Sequence, residues 1–497
     1  MKALLIRTGP ALDVPGRYCI LLLFSSSAIV AVGSTLKQYD IDVTYWHIPI
    51  KLGIPRTQKR YKERLERFRT LIKNSSYDFI SFTCITGDEY PHILEFAKIC
   101  KEEKPDVITV LGGYHATALA REIMEESKYI DIIIRGDFEP ISNKFVKALR
   151  NHKLFKDIPN ILFRQNGKII ETPKMLITYD INSLPFYDFS ILEEYMSSLS
   201  TLCIEGSRGC IYKCEYCAEA NVRGGHFWAV KKPERLIEEL KIYSSFMDKH
   251  TGYKRFFFAD PIFGVDRKWL KNFCNRLIKS KLNITWGCET RVDRLNKDEI
   301  SLMKDSGCLY IFHGFESGSP RILKLMKKTT NPKKYLEDTF EIINKSREHS
   351  IYVIGSYMLG YPGETIDTLQ ETRDLIEKHI SIGGEYFYPT VFLFMPYPNT
   401  PAYLKLDEYK KRFGTKVLVD NLWKHSKTPF ESITIQPSED LDPDTLLRVY
   451  KEIHRWSKGE CYSDEFASAF GVPANIDYID ADLIDFKNPC CLPPPNI

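Results

Sequence analysis

Three cysteines stand close together in the segment SRGCIYKCEYCAEA. They are Cys210, Cys214 and Cys217, spaced C-x3-C-x2-C. Thiolates are soft ligands, and three on one short loop can wrap a single metal centre. A structural zinc site takes four ligands and would call for a second cysteine pair at similar spacing. No such pair is local, although Cys203 is near. Iron–sulfur clusters are held by cysteine thiolates, normally four. Three thiolates on a four-iron cube leave one iron open to an outside ligand, and an open iron makes a cluster catalytic. Zinc, and a chance grouping of buried thiols, stand as the alternatives. A second pair, Cys490-Cys491, reads as a reduced tail rather than a ligand set.

The triad follows a strand and precedes a helix. Residues 196–395 alternate the two, with strand candidates at 202–207, 254–260, 283–289, 309–316, 351–360 and 386–394. The pattern predicts a partial (β/α)6 barrel whose site lies at the strand C-termini. Residues 1–150 also alternate, with continuous apolar strands at 2–8, 41–48, 77–83, 106–113 and 129–137. Strands of that kind are buried on both faces, so this part reads as a doubly wound, Rossmann-like α/β domain. Residues 151–195 read as a linker carrying a hairpin turned at Asn166-Gly167. Residues 396–497 read as a small C-terminal region that caps the barrel mouth and shapes a substrate pocket. Its aromatics Trp423, Tyr450, Trp456 and Tyr462 read as core.

Composition narrows the class. The 497 residues are 43% hydrophobic and 27% charged with a net charge of +4, which fits a folded protein and not a dedicated nucleic-acid binder. The short basic stretches KKPERL and LMKKTTNPKKY read as solvated helix ends. The apolar stretch Cys19–Val32 is broken by three serines and is too short to span a membrane. With no secretory signal, the thirteen cysteines suit reduced thiols in a cytoplasm.

The triad, with Tyr216 before its last cysteine, resembles the signature of the radical S-adenosylmethionine (SAM) superfamily. The resemblance continues through FFFADPIFGVDRKWL, TWGCETRVDRL, YIFHGFESGSPRIL, YVIGSYMLGYPGET and FLFMPYPNTPAY. It implies a [4Fe-4S] cluster on Cys210, Cys214 and Cys217, with SAM on the fourth iron. One electron then cleaves SAM to a 5′-deoxyadenosyl radical that takes hydrogen from substrate. By position, Glu316 would accept hydrogen bonds from the SAM ribose, Asp260 would bind the amino group, and Arg291 would pair with the carboxylate. Gly360, Pro362 and Gly363 would let the backbone approach adenine. A structural role is the alternative for each: a strand-end carboxylate, a turn cap, an ion pair and a plain loop.

Residues 1–150, through SFTCITGDEYPHILEFAK and VLGGYHATALAREIMEESKYIDIIIRGDFEP, resemble the cobalamin-binding domain that precedes many radical SAM enzymes. Thr83, Cys84, Gly112, Gly113, Gly136 and Glu139 are the positions this implies for cobalamin. The D-x-H-x-x-G loop whose histidine ligates cobalt is absent, and His47, His92 and His115 lack its flanking residues. His115 reads as a pocket or surface histidine.

The resemblance implies a cobalamin-dependent radical SAM enzyme, with C-methylation as the leading reaction and the cofactors sandwiching the substrate. An oxidative cyclase of the anaerobic magnesium-protoporphyrin ester cyclase type and a non-catalytic cobalamin-binding module are the alternatives. Expected partners are a small-molecule, lipid or peptide substrate and an external one-electron reductant of flavodoxin or ferredoxin type.

Overall fold

The computed structural model describes all residues except 10–24, 56, 152–154, 200, 224–226, 253, 425–432 and 460–497. Tyr462, Cys490, Cys491 and the start of the apolar stretch at Cys19 therefore lie outside the described residues. The chain divides into two compact units, Met1–Ser200 with Asn221–Phe227, and Thr201–Ala220 with Trp228–Ala474.

The first unit is built on one sheet. Its strands are β1 (Lys2–Arg7), β2 (Asp42–His47), β3 (Phe79–Thr83), β4 (Ile108–Gly112), β5 (Ile132–Ile134), β6 (Ile161–Gln165) and β7 (Lys168–Glu171), in the order β2-β1-β3-β4-β5-β6-β7. The first five are parallel. Their apolar runs are buried, as at Ile132–Ile134, because helices cover a doubly wound sheet. The order 2-1-3-4-5 reverses between β1 and β3, and ligands of such sheets bind outside the carboxyl ends of the strands at that reversal. The hairpin expected in a linker is instead part of this sheet. Strand β6 pairs antiparallel with β5 through Ile132 and Phe163, and β7 follows across a turn with Asn166 at φ 51° and Gly167 at φ 74°. Burial of Ile161, Leu162 and Phe163 drives that docking.

The second unit carries β8 (Leu202–Ile204), β11 (Arg255–Phe258), β12 (Thr285–Thr290), β13 (Cys308–Glu316), β14 (Tyr352–Leu359) and β15 (Phe387–Leu393) in one six-stranded sheet. All its pairings are parallel, and each strand neighbours the next along the chain. A short antiparallel pair, β9 (Ser207–Gly209) with β10 (Trp228–Val230), branches off after β8. Strands β8 and β15 are the two edges, so the expected partial (β/α)6 barrel is open. Capped helices place the strand-end loops. Asp266 caps the helix Arg267–Ser280, and Asn296 and Thr365 form capping boxes for Lys297–Asp305 and Ile366–Gly383. The C-terminal helix Pro443–Gly459 packs against β15 and buries Leu446, Tyr450 and Ile453. Trp423 and Trp456 are only partly buried. No helix among the described residues is long and apolar enough to cross a membrane.

Candidate active site

The three cysteines lie on the loop after β9. Cys214 is buried and Cys210 and Cys217 are half-buried, all as free thiols. The loop tightens where the Cys217 N–H donates to the Cys214 carbonyl at 3.2 Å. Burial, reinforced by the neighbouring thiols, pushes the Cys217 thiol up to about 12 and raises Cys210 as well. Without a ligand these two thiols hold their protons, and a metal must displace them. Among the described residues, no group of three His, Cys, Asp or Glu side chains converges as a single ion requires. A cube makes a different demand, because each thiolate binds its own iron. Three soft donors on one loop fit that demand.

A second layer braces the loop. The Tyr216 hydroxyl donates to Glu316 Oε1 at 2.7 Å, and Lys328 Nζ donates to the same oxygen at 2.8 Å. All three side chains are largely buried, and Glu316 sits at the end of β13 with φ 67°. Burial opposes the Lys328 charge, but the Glu316 carboxylate holds Lys328 protonated above its ordinary range. The Lys328 carbonyl accepts from Arg291 Nη2 at 2.6 Å. Arg291 also binds Asp293 through two nitrogens at 2.8 and 2.9 Å, and its guanidinium lies 3.8 Å from the Tyr212 ring centre. Its Nη1 approaches Cys214 Sγ at 3.8 Å. A fixed cation beside one thiolate offsets charge as the other two would gather around iron. Tyr216 was legible only as the aromatic residue of the cysteine signature, and Lys328 was not legible as a site residue. Lys328 belongs to the basic stretch read as a solvated helix end, and that reading fails for it: its side chain is 5% exposed.

The other positions named for SAM fall at strand ends of this unit. Asp260 is buried after β11 and accepts from the Gly206 N–H at 2.8 Å and the Ser207 hydroxyl at 2.6 Å. Burial pushes its carboxyl up to about 7. Gly360 and Gly363 follow β14 with φ 84° and 87°, a conformation that favours glycine. A side chain at Gly360 would meet Leu446 at 2.8 Å, and one at Gly363 would meet the Phe413 ring at 3.0 Å. Packing against the C-terminal helices thus accounts for both glycines. Arg291 has most of its donors engaged by Asp293 and Lys328.

In the first unit, Thr83, Cys84, Gly112 and Gly113 meet at the ends of β3 and β4. The Cys84 N–H donates to the Gly112 carbonyl at 2.8 Å, and the His115 N–H donates to the Cys84 carbonyl at 3.1 Å. Gly113 has φ 106°, and any Cβ there would collide with the Cys84 backbone. At Gly112 a Cβ would meet nothing within 4 Å, so its backbone borders open space. Gly136, at φ 75°, follows β5, and Glu139 opens the next turn. Three polar atoms buried at or beside the ends of β1, β2 and β4 have no partner among the described residues: Thr8 Oγ1, His47 Nε2 and His115 Nε2. Unsatisfied buried polar groups are costly, and a ligand bearing amides would satisfy them. His115 is buried against Tyr90, and burial lowers its pKa to about 4, so it stays neutral.

The comparisons with known proteins decide the family. Residues 204–376 match the Radical SAM superfamily model, and residues 19–145 match the B12 binding domain model. The chain is a radical SAM enzyme with a cobalamin-binding domain. The family brings a [4Fe-4S] cluster, SAM and cobalamin as its cofactors. An uncharacterized methyltransferase of Pyrococcus horikoshii is 27% identical over 333 residues, covering 66% of this chain and 69% of the relative. An anaerobic magnesium-protoporphyrin IX monomethyl ester cyclase of Rubrivivax gelatinosus is 27% identical over 321 residues, covering 62% of this chain and 55% of the cyclase. The solved radical SAM methyltransferase TsrM of Kitasatospora setae, with cobalamin and cluster bound, shares the fold. Its TM-score is 0.67 at 14% identity, covering 91% of this chain and 90% of that one.

Proposed function

We propose that the chain is a cobalamin-dependent radical SAM methyltransferase that methylates carbon on a small-molecule, lipid or peptide substrate. The observation that carries this is the Cys210-Cys214-Cys217 loop on an open parallel barrel, in one chain with a B12-binding domain. The methyltransferase named among its relatives supports the reaction. When bound, the cluster with SAM supplies a radical for hydrogen abstraction, and cobalamin supplies the methyl group.

The chain's residues place and insulate these groups. Cys210, Cys214 and Cys217 bind the cluster, and Arg291 holds a positive charge against Cys214. Glu316, held by Tyr216 and Lys328, would accept a hydrogen bond from the ribose of SAM. Asp260, fixed by Gly206 and Ser207, would bind the amino group, and the backbone of the Gly360–Gly363 turn, whose glycines also make room for Leu446 and Phe413, would border the adenine. Thr83, Cys84, Gly112, Gly113, Gly136 and Glu139 line the cobalamin side. The electron comes from a flavodoxin- or ferredoxin-type donor in the cytoplasm.

The cyclase likeness favours a second reading, oxidative ring closure. Anaerobically reconstituted protein given SAM and reductant separates the two. Methylated product with both 5′-deoxyadenosine and S-adenosylhomocysteine supports methylation, whereas 5′-deoxyadenosine without S-adenosylhomocysteine supports cyclisation. Neither product refutes both.

A further inference from the structure

Arg291 follows the last residue of β12 and is 6% exposed. A guanidinium presents five N–H groups in a fixed planar fork. Here Nε donates to Asp293 Oδ1 at 2.9 Å, while Nη2 donates to Asp293 Oδ2 at 2.8 Å and to the Lys328 carbonyl at 2.6 Å. The N–H groups left over both belong to Nη1, and Nη1 lies 3.8 Å from Cys214 Sγ. Cys214 is 8% exposed, so the cation and the thiol meet where water screens poorly.

The fork is held in that direction. The two-point grip of Asp293 fixes its plane. The ring of Tyr212, carried by the cluster loop between Cys210 and Cys214, lies 3.8 Å from the guanidinium carbon. The other buried cation nearby is committed elsewhere, because the Lys328 ammonium donates to Glu316. A carboxylate ligand binds Arg best through two parallel N–H groups. Both such edges of the fork include Nη2, whose N–H groups are taken by Asp293 and Lys328. What Arg291 still offers is a single nitrogen turned toward sulfur.

We propose that Arg291 is a positioning residue for the electron step: through its Nη1 contact with Cys214 it sets the reduction potential of the bound cluster, instead of pairing with the SAM carboxylate. The inference rests on the cluster reading above. A cation against a coordinating sulfur favours the cluster state that carries the extra electron, so it raises the potential. A carboxylate behind the cation offsets part of that effect. Asp293, 25% exposed, is that carboxylate. Losing Arg291 and losing Asp293 should therefore move the potential in opposite directions.

The test is an anaerobic potentiometric titration of the reconstituted full chain without SAM, with the reduced cluster followed by electron paramagnetic resonance. At the wild-type midpoint, Arg291→Gln should show a ratio of reduced to oxidised cluster about tenfold lower, a midpoint about 59 mV more negative for one electron. Asp293→Asn should raise the midpoint. Arg291→Lys keeps the charge without the fork and should fall between the wild type and Arg291→Gln. SAM binding to the same proteins is measured by equilibrium dialysis. An unmoved midpoint in Arg291→Gln together with lost SAM affinity overturns the proposal and makes Arg291 a SAM ligand. Shifts of the same sign in Arg291→Gln and Asp293→Asn also overturn it, because a loosened loop moves both alike. If Arg291→Gln takes up no cluster, Asp293→Asn decides, and a midpoint at or below that of the wild type overturns the proposal. A wild-type chain that binds no four-iron cluster overturns the cofactor reading beneath it.

Discussion

Replacing Lys328 with methionine tests the brace around the cluster loop. Lys328 and Glu316 are 5% and 9% exposed and lie 2.8 Å apart. Methionine keeps the packing volume but strands the Glu316 carboxylate, with Tyr216 as its one remaining donor in the brace. Removing one partner of a buried pair costs about 3–5 kcal/mol. That is a large part of the total stability of a domain, about 5–15 kcal/mol. Urea unfolding of cluster-free protein, followed by tryptophan fluorescence, would show the loss as a lower midpoint with an unchanged slope. The companion variant Glu316→Gln/Lys328→Met removes the stranded charge and should recover roughly 1–3 kcal/mol of it. A loss below about 1 kcal/mol for Lys328→Met, or strictly additive effects in the double variant, would refute the reasoning.

Two glycines at the end of β4 should behave oppositely. Gly113→Ala should destabilise the first unit by more than about 2 kcal/mol, because its Cβ has no room beside Cys84. Gly112→Ala should leave thermal unfolding nearly unchanged and weaken uptake of cobalamin, read from its visible absorbance. His379 should set an acid limit. It is fully buried between the Thr339 hydroxyl at 2.8 Å and the Tyr357 hydroxyl at 2.5 Å, and burial lowers its pKa to about 3. A lowered folded pKa gives stability that is complete above the unfolded value of about 6.5 and is lost as pH falls toward 3, on the order of 5 kcal/mol in all. The stability of His379→Gln, measured by denaturant from pH 7 to 4, should therefore fall less steeply than that of the wild type.

Much of this architecture is written locally. Runs such as ALLI in β1 and III in β5 are apolar on both faces, and only a covered parallel strand uses them so. The cysteine triad is equally local, since its ligands share one loop. What escaped the sequence is settled by distant pairing. The hairpin of β6 and β7 sits among prolines and reads as a linker, but Phe163 finds its partner thirty-one residues upstream at Ile132. Strands β9 and β10 have three residues each, too few for a periodicity, and they flank the cluster loop from either side in sequence. Tyr216 lies 100 residues from Glu316 and 112 from Lys328, and nothing in the string LMKKTT separates the buried Lys328 from the exposed Lys327. Glycine at 360 and 363 was legible as a tight turn, but the packing of Leu446 and Phe413 against that turn was not.

The most direct test of the central claim is the iron bound by the three cysteines. Protein reconstituted without air with iron and sulfide should hold about four irons per chain. Its Mössbauer spectrum should be that of a [4Fe-4S] cluster, with one iron site changed on adding SAM. The Cys210→Ala/Cys214→Ala/Cys217→Ala variant should hold none. An unchanged cluster in that variant, or a wild-type cluster whose spectrum is indifferent to SAM, would contradict the account.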